Sequence, residues 1–200
     1  MIRYLVSFLP WIAYAVLARN DDWRNGALAG LLVAVILVVI DRRSGKKWDE
    51  MVIEVSAAVF FTGITLLSFL SPHSSLMPYG AALVDAWLAL TAFGSLAVRR
   101  PFTLGMARRA APESVWKTPL FFKINVAITT AWALSFAVAA VALTVLIHQD
   151  PKALVAAIVI KTVTFVVPVV FTIRYPEIAQ ARFFRAEAAA EQAAAQRAAA

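Results

Sequence analysis

The 200-residue sequence contains no cysteine, which excludes disulfides, thiolate metal sites and cysteine nucleophiles. Charge is scarce as well: Asp, Glu, Lys and Arg make up 16% of the chain, against 62% apolar residues. The two histidines, His73 and His148, both fall in stretches that read as connections, where a histidine is ordinarily solvated. A phosphate-binding glycine loop, a His-Glu-x-x-His pair and a glycine-flanked nucleophile serine are all missing. Nothing specific therefore points to catalysis, to a cofactor or to a metal. The formal charge of +7 raises the question of nucleic acid, but aromatic–basic interleaving and zinc-finger spacing are missing too. A membrane surface carrying anionic lipid is the simpler partner, with other membrane proteins as further candidates.

Apolar sequence is abundant, and it is grouped in long blocks. About 20 apolar residues cross a hydrocarbon layer roughly 30 Å thick. Blocks of that order lie at about 2–18, 26–40, 51–70, 79–98, 120–147 and 153–173. The expected fold class is all-α: a six-helix transmembrane bundle over residues 1–175, followed by an Ala-rich tail over 176–200. No convincing internal repeat marks an inverted-repeat transporter. The first block resembles a signal peptide, but it lacks a clear cleavage motif and Asp21, Asp22 and Arg24 follow it. It reads as a retained helix, bent in its middle by Pro10. The second block is short, about 22 Å at 1.5 Å per residue. Were the first two blocks a hairpin that does not cross, four crossings of the same parity would remain.

The longest connection is divided by prolines at 101, 112 and 119. It reads either as a structured linker or as a short surface helix over 102–110. In the helical reading, Phe102 and Met106 face lipid, Arg109 faces headgroups and Trp116 sits at the interface. The tail's composition favours helix, with its last dozen residues expected to fray.

Loop charge sets orientation. With six helices, one side of the membrane receives Arg3, Arg42, Arg43, Lys46, Lys47, Arg99, Arg100, Arg108, Arg109, Lys117, Arg174, Arg182, Arg185 and Arg197. The other receives only Arg19, Arg24 and Lys152. The first side, with both termini, is expected to be cytoplasmic.

Ionisable residues inside spans are expensive and become candidates for function. Glu54 and Lys123 lie about one turn into their helices from the basic side; each can snorkel, or the two can pair. Asp85 and Lys161 lie deeper, roughly 9 and 12 Å below the starts of their segments. A mutual ion pair or a shared polar cavity avoids leaving either alone in hydrocarbon. Thr162 and Thr164 add polarity beside Lys161, as Asn125, Thr129 and Thr130 do in the preceding span. Gly26 and Gly30 form a small-xxx-small spacing that permits close helix approach.

Arg100-Pro101 after a helix, Val115-Trp116 closing a short connection, Ile124-Asn125 and Trp132 in the next helix, and Lys161 in the last one form an ordered set. In this set the chain resembles the intracellular septation protein A family of bacterial inner-membrane proteins. The motif Arg99-Arg100-Pro101-Phe102-Thr103-Leu104 resembles the signature of a related group. The resemblance implies five or six helices and a role in cell-envelope maintenance or division through protein partners. It implies no catalytic residue. The leading expectation is thus a non-enzymatic membrane scaffold, with a small transporter or channel built on Asp85 and Lys161 as the alternative.

Overall fold

The computed structural model describes residues 6–18 and 23–199. Seven α-helices make up most of it: α1 Leu9–Leu17, α2 Arg24–Arg43, α3 Val52–Leu70, α4 Gly80–Ala97, α5 Phe102–Arg108, α6 Pro119–Gln149 and α7 Leu154–Ala199. Short 3-10 turns cover Trp48–Glu50, Met77–Tyr79 and Glu113–Val115. Five of the α-helices, α2, α3, α4 with its preceding turn, α6 and α7, are long and apolar enough to cross a membrane. The architecture is all-α and multi-pass.

The expected count of six spanning helices is not matched. The shortfall lies at the first block: α1 has 9 residues, about 13 Å of helix. Residues 2–5 of that block, Arg3 among them, lie outside the described residues, as do Arg19, Asp21 and Asp22. Pro10 does not bend the middle of a helix. It sits in the first turn of α1, where a backbone N–H has no intrahelical acceptor anyway. The second block is longer than expected: α2 runs for 20 residues, about 30 Å, because Arg24 and Asp41–Arg43 continue the helix at its two ends.

The closest backbone packing is of α4 on α6, α2 on α3, α1 on α2 and α6 on α7. One end of the bundle, termed the basic end, gathers the 44–51 connection, the 98–118 connection and the extension of α7. In lipid, packing rather than water exclusion holds helices together, so small residues and close-fitting rings matter most. Gly30 of α2 illustrates this: a Cβ there would lie 2.6 Å from the ring of Phe61 on α3. Phe61 is fully buried, with its ring 4.9 Å from Trp11, 5.6 Å from Tyr14 and 5.1 Å from Phe60. At one end of α1, Ser7 Oγ donates to Glu54 Oε1 at 2.6 Å in the first turn of α3. At the other, the Tyr14 hydroxyl abuts Gly80, the first residue of α4. The 7–18 segment therefore runs alongside α3 from near the basic end toward the opposite end.

α4 ends in a backbone device that also places α5. Arg99 takes a left-handed φ of 55°, Arg99 N–H donates to Leu96 O and Arg100 N–H to Ser95 O. These are the paired bonds of a Schellman motif. Pro101 then cannot continue the helix, and Phe102 N–H donates to Ser95 Oγ at 3.1 Å. α6 starts cleanly because Thr118 Oγ1 accepts from Phe121 N–H at 3.3 Å and Pro119 occupies its first turn. α7 does not stop at the end of its span. It continues for 46 residues through Pro168 and Pro176, about 69 Å. Each proline has a threonine one turn earlier, Thr164 or Thr172, whose hydroxyl donates back to a carbonyl of the preceding turn. α7 is also the least enclosed span: 6% of its most apolar window is buried inside the bundle, against 44% for α3.

Candidate functional site

The structure brings together two of the four intramembrane charges. Lys161 Nζ donates to Asp85 Oδ1 at 2.9 Å and Oδ2 at 2.8 Å. Asp85 sits five residues into α4 and Lys161 seven residues into α7, roughly 8 and 11 Å from their starts, so their depths match within the reach of a lysine stem. α4 and α7 are not among the closely packed helix pairs; the side chains span the gap. Their surroundings differ. The Asp85 side chain is 3% exposed and that of Lys161 is 43% exposed. The polar neighbours expected around Lys161 are satisfied locally: Thr164 Oγ1 donates to Ile160 O at 2.7 Å, and Thr162 is exposed.

Glu54 and Lys123 do not pair. Glu54 is buried and accepts from Ser7, and its Oε2 has no partner among the described residues. Its place in the first turn of α3 puts the carboxylate at the positive end of a helix dipole. Lys123 is exposed near the start of α6, as a lysine reaching for headgroups would be. His73 and His148 are both exposed. Among the described residues no group of three or more His, Asp or Glu side chains is placed to hold a metal ion.

The largest feature of the site was not legible as such. An apolar cavity of about 1120 Å³ opens toward the basic end between α5, the 110–118 connection, the first half of α6 and the extension of α7. Phe102 and Met106, expected to face lipid, turn inward to line it and are 4% and 9% exposed. The reason is a polar clasp beneath α5. Thr103 Oγ1 donates to Asn125 O at 3.1 Å and lies 2.8 Å from Thr129 Oγ1, which holds the short helix against α6. Arg109 stays exposed and donates to Glu50 O at 2.8 Å, which ties the two basic connections together. Trp116 Nε1 donates to Ala111 O at 2.9 Å, so its indole closes its own connection.

Asn125 faces this cavity with its amide half satisfied. Its Nδ2 donates to Phe121 O at 2.9 Å, while Oδ1 has no partner among the described residues, and the residue is 1% exposed. At the inner end, Phe8, Trp132 and Phe165 meet, with ring centroids 5.7 Å, 5.5 Å and 6.2 Å apart. Lys161 stands one helical turn before Phe165 and, like Asp85, is outside the lining. A sequence signal for the cavity does exist. Phe165, Val169, Thr172, Pro176, Gln180, Phe183 and Glu187 line it and recur at steps of three or four, one face of α7.

Five apolar helices of spanning length around buried polar contacts define a polytopic, largely α-helical membrane protein. Comparison of the chain with protein-family models, with curated proteins and with solved structures finds no match.

Proposed function

We propose that this chain is a non-enzymatic scaffold of a bacterial inner membrane, acting through protein partners in envelope maintenance or division. The observation that carries this reading is α7. It leaves the bundle as an unbroken helix, and every described side chain from Ala181 to Ala198 is exposed. An isolated Ala-rich helix in water is marginal, and a partner that packs on it supplies the missing stabilisation. The resemblance to the septation protein family, carried by Arg100-Pro101, Val115-Trp116, Asn125, Trp132 and Lys161, supports the same reading. So does the excess of Lys and Arg at the basic end, which we assign to the cytoplasm. The course of the 7–18 segment beside α3 favours a sixth pass completed by the N-terminal block, with both termini cytoplasmic.

Affinity isolation in mild detergent tests the proposal. The full chain should co-purify one or more envelope or division proteins reproducibly, and a chain ending at Glu187 should lose them. Retention of all partners by the shortened chain would overturn the role given to α7.

A second reading, a small transporter, is favoured by the Asp85–Lys161 pair and by the aromatic closure between it and the cavity. The two readings separate in a complementation assay. For a scaffold, Asp85→Asn combined with Lys161→Met restores folding and cellular activity together; for a transporter, folding returns and activity does not.

A further inference from the structure

We infer that the cavity at the basic end is a binding site for the acyl chains of an anionic phospholipid drawn from the adjoining leaflet. Its volume of about 1120 Å³ exceeds the usual small-ligand range of roughly 300–1,000 Å³, and its lining is overwhelmingly apolar. Phe102, Met106, Ile128, Trp132, Phe165 and Val169 supply that lining. Such a space suits flexible hydrocarbon better than a compact polar metabolite. Position matters equally. The cavity lies at the level where α6 begins and where α7 passes from span to extension, the depth at which a phospholipid's chains meet its headgroup. At that level the chain offers exposed cations beside the lining. Lys117 immediately precedes lining residue Thr118, and Arg174 immediately follows lining residue Ile173; both are exposed. A phosphate there meets complementary charge without leaving the interface.

Asn125, whose buried Oδ1 has no partner among the described residues, adds one polar residue to this lining.

The test uses the full-length protein in lipid nanodiscs and a phosphatidylglycerol whose acyl chain carries a photoactivatable diazirine. Labelled peptides are mapped, with the outward-facing residues Leu134, Val138 and Val141 of α6 as the reference for ordinary lipid contact. The lining of α5, α6 and α7 should be labelled more strongly than that reference. Ala107→Trp, which fills the cavity from α5, should remove most of the lining signal and leave the reference unchanged. Ala111→Trp serves as an independent filling variant should the first fail to fold. Phosphatidylcholine bearing the same chain should label the lining less, and Lys117→Gln with Arg174→Gln should erase that difference. Labelling confined to the outer faces, lining signal unmoved by a folded tryptophan variant, or equal labelling by the two headgroups would each overturn the inference.

Discussion

Lys161 places its ammonium between both carboxylate oxygens of Asp85, at 2.9 and 2.8 Å, yet only the aspartate is fully enclosed. The asymmetry follows from position. Asp85 is on the inward face of α4, while Lys161 reaches in from α7 at the bundle's edge.

Removing the lysine should therefore hurt more than removing the carboxylate. Lys161→Met strands a buried charge and should destabilise by about 3–5 kcal/mol, the range for breaking one side of a buried pair. Asp85→Asn leaves a lysine on the lipid-facing edge of the bundle, costly in hydrocarbon, but its flexible stem can carry the head toward the interface, so its loss should be smaller. The double variant should recover part of the larger loss. Thermal unfolding in detergent gives the cycle, and strictly additive losses would show that the two sites are uncoupled.

Gly30→Ala should destabilise although alanine is the better helix former. The added methyl meets the enclosed Phe61 ring at 2.6 Å, and overpacking a close-fitted contact costs roughly 1–3 kcal/mol. Phe61→Leu in the same chain should relieve part of that loss. An unchanged or raised unfolding temperature for Gly30→Ala alone would mean that α2 and α3 separate easily.

Thr103→Val keeps the side chain's shape and deletes the hydroxyl that reaches Asn125 O and Thr129 Oγ1. The loss should be about 1 kcal/mol globally, with a larger local effect. Hydrogen exchange in 102–108 should accelerate while α3 and α4 stay protected. Uniform protection would place the anchoring of α5 elsewhere, for instance in Phe102 N–H on Ser95.

The absence of native cysteine makes topology directly measurable. Single cysteines at Ser44 and Ser74 should behave oppositely toward a membrane-impermeant thiol reagent in intact cells: 74 labelled, 44 protected. Labelling of 44 alone would invert the proposed orientation. An epitope at the N-terminus that is protected from external protease would support the sixth pass.

Deleting residues 188–200 should leave the unfolding temperature of the bundle unchanged, since described side chains there are exposed and Glu187 is the last to line the cavity. A drop of several degrees would show that the extension stabilises the bundle.

Sequence alone determined the class of protein. Apolar blocks of spanning length forced helices, because lipid offers no hydrogen-bond partner to an unpaired backbone. Counting residues also set Asp85 and Lys161 at compatible depths. What sequence left open was which face of each helix turns inward. In water, the buried face announces itself by its apolar period. In a membrane both faces are apolar, so that period fades. Phe102 and Met106 thus read as lipid-facing when the clasp of Thr103 on α6 turns them inward, and Glu54, for which snorkelling and pairing with Lys123 were both open, is bonded by Ser7. Helix adjacency, the fit of Phe61 over Gly30 and the cavity that Asn125 faces arise only when segments distant in the chain are packed together. Those contacts depend on shape and on a few polar groups, and neither is encoded in local composition.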